Sequence, residues 1–121
     1  MIPEDEKSAI PLTPEDVPPP RRISIVIVAH NSAPDLARCL ASLPQAAPRS
    51  RLDIIAVDNA SRDASADILM AGGATVLRER SNIGFAAAVN KAMRQVEAPL
   101  ALLLNPDVEA HCGAIDRLAD A

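Results

Sequence analysis

Eight residues, Ile23 to His30 (ISIVIVAH), place the tightest constraint on how this chain can fold. The run is β-branched or apolar at nearly every position and lacks the in-out alternation of a half-wet strand. It predicts a strand covered on both faces. The next stretch, NSAPDLARCLASL, changes period: Leu36, Leu40 and Leu43 fall on one helical stripe. Pro34 is tolerated in a first helical turn, and Ser32 with Asp35 three residues on reads as a capping box. Pro44 and Pro48 are expected to end that helix.

The same alternation then recurs. LDIIAVDNAS (52–61) predicts a second strand, and RDASADILMA (62–71) a second helix closed by Gly72-Gly73. ATVLRER (74–80) predicts a short third strand. SNIGFAAAVNKAMRQV (81–96) predicts a third helix with Phe85, Val89 and Met93 on its inner face. PLALLLN (99–105) predicts a fourth, buried strand, and GAIDRLADA (113–121) the beginning of another helix. Alternating strands and helices imply right-handed crossovers, hence an α/β fold: a parallel sheet of about four strands between helices, Rossmann-like in plan.

The 121 residues suffice for one small domain. Residues 1–22, with six of the eleven prolines and many acids, predict a disordered or extended leader, leaving 23–121 as the folded unit. A net charge of -4 argues against a nucleic-acid partner. Phe85 is the sole aromatic residue, so recognition of sugars or bases by stacking is disfavoured. Cys39 and Cys112 match no metal spacing and read as reduced thiols. No apolar run approaches the roughly 18 residues of a membrane span, and the acidic N-terminus is no secretory signal. These features together favour a cytoplasmic protein.

In parallel α/β sheets, ligands sit at the carboxyl ends of the strands, beside a switch in strand order. Here strand one exits through His30-Asn31-Ser32 and strand two through Asp58-Asn59-Ala60-Ser61. Strand three runs into Arg78, Arg80, Ser81 and Asn82, and strand four leaves through Asn105-Pro106-Asp107. A dinucleotide fingerprint and a Walker-type loop are both missing, and so is the acidic set of a receiver domain. Ordinary roles compete at several positions. Asp63 reads as a first-turn acid favoured by the helix dipole, Asn90 as a cap or packing residue, Arg78 and Arg80 as solvated charges, and His111 as a surface residue.

SIVIVAHNSAPDLARCLASL, IIAVDNASRDAS, RSNIGFAAAVNKAM and LLLNPDVEA, in this order and spacing, resemble the nucleotide-binding half of family 2 glycosyltransferases. The likeness covers about residues 23 to 119, and the Asn-Pro-Asp motif particularly resembles rhamnosyltransferase-like members. The resemblance implies the GT-A fold and a nucleotide-diphospho-sugar donor. It implies that Ala29, His30 and Asn31 lie along the nucleoside and that Asp58 contacts base or ribose. Asn82 and Gly84 match the segment that passes near the nucleotide, glycine permitting close backbone approach. Asn105 and Asp107 match the outer positions of the D-x-D motif, Asp107 holding a divalent cation, magnesium or manganese.

The sequence departs from the family pattern in two places. Asn105 stands where many relatives have an acid, so cation affinity rests mostly on Asp107. Only fourteen residues follow Asp107, and Asp116 and Asp120 match no general-base motif, so no catalytic residue is assigned. The expectation is a donor-binding half-domain truncated at its C-terminus, acting toward a glycan or lipid-linked acceptor, with peripheral membrane association open to a longer form. The alternative is a non-catalytic nucleotide-binding or interaction module built on the same half-fold.

Overall fold

The computed structural model describes residues 20–121; residues 1–19, the bulk of the expected leader, lie outside that range. Four strands and four helices alternate: β1 (Arg21–Ala29), α1 (Ala33–Ala46), β2 (Ser50–Asn59), α2 (Ser65–Ala71), β3 (Thr75–Glu79), α3 (Phe85–Met93), β4 (Leu100–Leu103) and α4 (Ala114–Asp120). All pairings are parallel and the strand order is β3-β2-β1-β4. The chain therefore builds outward from β1 to β3 and then crosses back to lay β4 on the other side of β1. That reversal puts the switch in strand order between β1 and β4.

Period-two alternation divides the core between the two sheet faces. Ile23, Ile25, Ile27 and Ala29 join Ala56 on the face covered by α1, α2 and α4, where Leu36, Cys39, Leu43, Leu69 and Ile115 pack. Val26, Ile55 and Val57 face α3 and meet Ala88 and Ala92. As expected, β1 is covered on both sides, with residues 23 to 27 all buried.

Several expectations need correction. β1 starts two residues early, because Arg21 and Arg22 pair in register with Ser50 and Arg51 and Arg22 also bonds Asp53 at 2.9 Å. The buried stripe on α3 is rotated by about a quarter turn from the one expected: Phe85 is 54% and Met93 44% exposed, Val89 is half-buried, and Ala88 and Ala92 are buried. A lone helix lying close on the sheet leaves room for methyl groups and not for long side chains. Ala88→Leu is accordingly expected to cost about 2 kcal/mol by overpacking, whereas Phe85→Ala should change stability by less than about 1 kcal/mol; chemical denaturation of the two variants checks the pair.

Pro44 does not end α1: it sits in the last turn, where the helix forgoes the bond from that position to the carbonyl four residues back, and the helix runs on to Ala46. Nor does the Ser32–Asp35 capping box form. The Ser32 hydroxyl bonds the His30 backbone, and Asp63, from the loop before α2, accepts from Ala33 N–H at 3.1 Å. Among the described residues β4 is an edge strand and not a buried one: it pairs with β1 alone, and Leu100 and Leu103 are 40% and 44% exposed. Both cysteines are free thiols, Cys39 buried and Cys112 exposed. No helix among the described residues is long and apolar enough to cross a membrane.

Candidate functional site

The carboxyl ends of β1, β2 and β3 open into a cleft of about 620 Å3. His30 and Asn31 enter it from β1, Ser61 and Arg62 from the turn after β2, and Glu79, Arg80, Ser81 and Asn82 from the exit of β3. A second cavity, about 540 Å3, lies at the opposite edge of the sheet around Ser24, Asp53, Thr75 and Gln95. It contains none of the residues singled out by the resemblance and faces away from the strand carboxyl ends, where α/β sheets bind ligands.

The walls of the first cleft are held by side chains reaching between loops. Asn31 has a left-handed backbone (φ 50°), its N–H donates to Ser61 Oγ at 2.9 Å, and its Oδ1 accepts from Arg62 N–H at 2.7 Å. Ser32 N–H donates to the buried Ser65 hydroxyl at 2.8 Å. Asp63 accepts from Ser65 N–H and Oγ as well as from Ala33. Those bonds, led by the Ser65 hydroxyl, hold the Asp63 carboxyl below the usual range. Asp63 is thus the joint between two loops, two residues ahead of α2, and not a member of its first turn.

Asn59 is the residue that sequence reasoning left without a role. It is 3% exposed; its Oδ1 accepts from Ile83 N–H at 2.9 Å and its Nδ2 donates to Gly84 O at 3.3 Å. A side-chain amide here pairs with backbone as another strand would, pinning the Asn82–Gly84 segment against β2. A signal was present: Ile55, Val57 and Asn59 share the α3 face, so a polar side chain ends a buried apolar series. Gly84 adopts φ 84°, ψ 164°, a region essentially closed to residues with a Cβ. Asn82, in the cleft wall, also shapes the turn, its Oδ1 accepting from Gly84 N–H at 2.9 Å.

Asp58 lies beside Asn59 on the other face of β2, paired in register with Ala29. It is 3% exposed, and its Oδ1 is buried with no hydrogen-bond partner. An unpartnered buried carboxylate oxygen costs folding free energy, so among the described residues Asp58 is a strand-end group with hydrogen-bonding capacity left over.

Asn105 and Asp107 do not line the cleft. They are exposed at the exit of β4, across β1 from it, on the far side of the switch point. Helix α1 braces their loop at three places: Cys39 Sγ approaches Asn105 O at 3.9 Å, Ser42 Oγ accepts from Ala110 N–H at 2.9 Å, and Gly113 N–H donates to Gln45 O at 2.9 Å. Burial pushes the Cys39 thiol up, and the negative charge of Asp107 adds to the shift. Among the described residues no three His, Cys, Asp or Glu side chains converge as a metal cage. One carboxylate and one amide oxygen nevertheless suit a hard cation that takes its other ligands from phosphate and water.

Solved structures of other proteins share this fold. A mannosyltransferase from Pyrobaculum calidifontis, solved with GDP-Man and Mn2+, superposes with a TM-score of 0.65 at 26% identity, over 76% of this chain and 30% of that one. S. aureus TarS (residues 1–349), solved with UDP, gives 0.71 at 21% identity, over 82% of this chain and 31% of that one. Its complex with UDP-GlcNAc gives 0.71 as well. The chain thus spans less than a third of the length of these solved relatives. No curated protein matches it significantly. The TarS likeness speaks for the fold alone, the GT-A arrangement of a parallel sheet between helices. The model of the family described as "Glycosyl transferase family 2" matches residues 24–121, almost the whole of the described chain. With the strand order and the polar strand ends, that match establishes that the chain belongs to glycosyl transferase family 2.

Proposed function

We infer that this chain is the donor-binding part of a sugar transferase, holding a nucleotide-diphospho-sugar along the carboxyl edge of the sheet, from the β1–β3 cleft to the exit of β4. The observation that carries the reading is Asp58: a buried carboxylate oxygen without a partner at the sheet edge where ligands bind. In this reading Ala29, His30 and Asn31 flank the nucleoside and Asp58 accepts a hydrogen from base or ribose. Asn82 and Gly84 shape the wall that Asn59 fixes. Asn105 and Asp107 hold the divalent cation, magnesium or manganese, which when bound neutralises the leaving diphosphate. The Asn-Pro-Asp form of that motif supports a rhamnosyltransferase-like donor, and the mannosyltransferase relative supports the use of Mn2+. The acceptor is a glycan or lipid-linked hydroxyl, and the described residues serve as one half-domain of a longer transferase working at the cytoplasmic side.

A second reading, a binding module without transfer, has its own observation. Asp116 and Asp120, which follow the metal motif, are engaged with Ser50, Arg49 and Arg21 and are not free to deprotonate an acceptor. An assay of nucleotide release from UDP-, GDP- and dTDP-sugars, with Mn2+ and hydroxyl acceptors, separates the two. The transferase reading expects the chain to bind donor but turn over little alone and to gain activity when joined to the remaining sequence of a family member. Equal, negligible release in both forms, with donor bound, would favour the module.

A further inference from the structure

Strand β2 outruns its neighbour on one side. It begins at Ser50, but β3 joins it only from Ile55, which pairs with Thr75. Among the described residues, Ser50 to Ile54 therefore pair with β1 alone. Backbone direction shows which groups are left over. Leu104 N–H donates to Val26 O at 2.9 Å, so Val26 turns its backbone toward β4. Successive residues of a strand turn to opposite edges, so Ile25 turns toward β2. There it meets Asp53 and Ile55, which flank its register partner Ile54. Leu52 and Ile54 consequently turn away from β1. Ser50, in the same phase, donates its N–H to Ala47 O at 3.1 Å. The N–H and C=O of Leu52 and the N–H of Ile54 are left facing a gap where β3 has not begun.

This gap is the cavity of about 540 Å3 at the amino end of the sheet. Gly72 and Gly73, which carry the chain from α2 to β3, bound it on one side, and a Cβ at Gly73 would meet nothing within 4 Å. Gln95 and Glu97, which follow α3, bound it on the other. Ser24 and Asp53 are register partners that continue the rows of Val26 and Ile55 on the α3 face. Ser24 is 1% exposed, and its hydroxyl has no hydrogen-bond partner among the described residues. Arg22 bonds Asp53 at 2.9 Å, so those two charges offset each other. Glu97 has no ion-pair partner among the described residues and leaves the cavity with a surplus negative charge.

We propose that the free stretch of β2 is a docking site for an extended, basic peptide segment of a partner protein. The segment adds as a short strand beside Leu52 and Ile54. It lays a lysine or arginine side chain over Asp53, toward the Ser24 hydroxyl and the Glu97 carboxylate. Backbone pairing supplies the affinity and the side-chain cavity the selectivity. At about 3.3 Å per residue, the unpaired stretch has room for a strand of four or five residues. Residues 1–19 of this chain, rich in acids and prolines and with a single lysine, have the wrong charge and too few N–H donors to be the occupant.

Amide NMR of the full chain, titrated with three capped hexapeptides, tests the proposal. One peptide alternates valine and lysine, the second is the same peptide N-methylated at every residue, and the third alternates valine and glutamate. The lysine peptide is expected to shift the Leu52 and Ile54 amides. The N-methylated and glutamate peptides should bind at least about 5-fold more weakly. Glu97→Lys, a change at an exposed position, should reverse the preference between lysine and glutamate peptides. Ser24→Ala should weaken the lysine peptide about 3-fold without lowering the melting temperature, since the hydroxyl it removes bonds nothing in the fold.

Shifts confined to Leu100–Leu103, equal binding of the N-methylated peptide, or a preference unmoved by Glu97→Lys would overturn the proposal. Unchanged affinity in folded Ser24→Ala would overturn the part given to Ser24. Slow hydrogen exchange at Leu52 and Ile54 in the chain alone would mean that the edge is already covered, by another segment of this chain or by a second copy. That result would overturn the partner-peptide assignment too.

Discussion

Asp116→Ala is expected to lower the unfolding free energy by about 3 kcal/mol, enough to threaten a domain of this size. Asp116 is 2% exposed on α4. Its Oδ1 accepts from Ser50 Oγ at 2.6 Å and its Oδ2 from Arg49 N–H at 2.9 Å. Removing the carboxylate strands both donors at the joint between α1 and β2 and releases α4 from the sheet. Asp120, one turn later, pairs with Arg21 and Arg49 and would remain, but as an exposed contact it cannot replace what is lost. Asp116→Asn should recover part of the loss by keeping one acceptor oxygen.

The same group sets an acid limit. The Ser50 hydroxyl first, then Arg49 N–H and the Arg49 and Arg21 charges, hold the Asp116 carboxyl below its usual range. A lowered folded value means the contribution is complete above the unfolded carboxylate range and is lost as pH falls through the folded value. Acid unfolding monitored by circular dichroism should therefore begin at a higher pH in Asp116→Asn than in the wild-type chain.

Asp58→Asn is expected to move stability and binding in opposite directions. The Oδ1 of Asp58 is buried without a partner, and a neutral amide is cheaper to bury than a carboxylate. Thermal unfolding of the unliganded variant should show a gain of about 1 kcal/mol. Donor affinity should fall by about 10- to 100-fold, the worth of a charge-assisted hydrogen bond. A residue kept for packing would instead lose stability on substitution and leave binding alone. This trade is the usual signature of a site held unsatisfied for its ligand.

What could be read from the sequence was whatever depends on neighbours along the chain. The apolar run of β1 and the Leu36–Leu43 stripe of α1 declare themselves within a few residues, and both are buried as that pattern demands, with Leu40 partly covered. Features set by distant partners were not legible. Asp63 caps α1 across 30 positions of sequence, so Ser32 and Asp35 looked like a sufficient local cap. α3 turned its alanines inward because the sheet, not the helix, sets the space available; the hydrophobic pattern alone favoured Phe85 and Met93. β4 looked buried because four of its residues are apolar, yet its place at the sheet edge is a matter of strand order. At the site, His30, Asn31 and Asn82 do converge on one cleft. The grip of Asn59 on Ile83 and Gly84 depends on a contact between β2 and the segment before α3 that no spacing along the chain reveals.

We propose that Asp107, across the β1–β4 switch from the β1–β3 cleft, ties a cation to the donor's diphosphate. Titration calorimetry of the wild-type chain and of Asp107→Ala with UDP-, GDP- and dTDP-sugars, each with and without Mn2+, tests it most directly. Manganese-dependent heat with at least one donor is expected for the wild-type chain, and binding of that donor at least about 10-fold weaker and no longer manganese-dependent for Asp107→Ala. Identical titrations for the two folded proteins, or no heat with any donor, would contradict it.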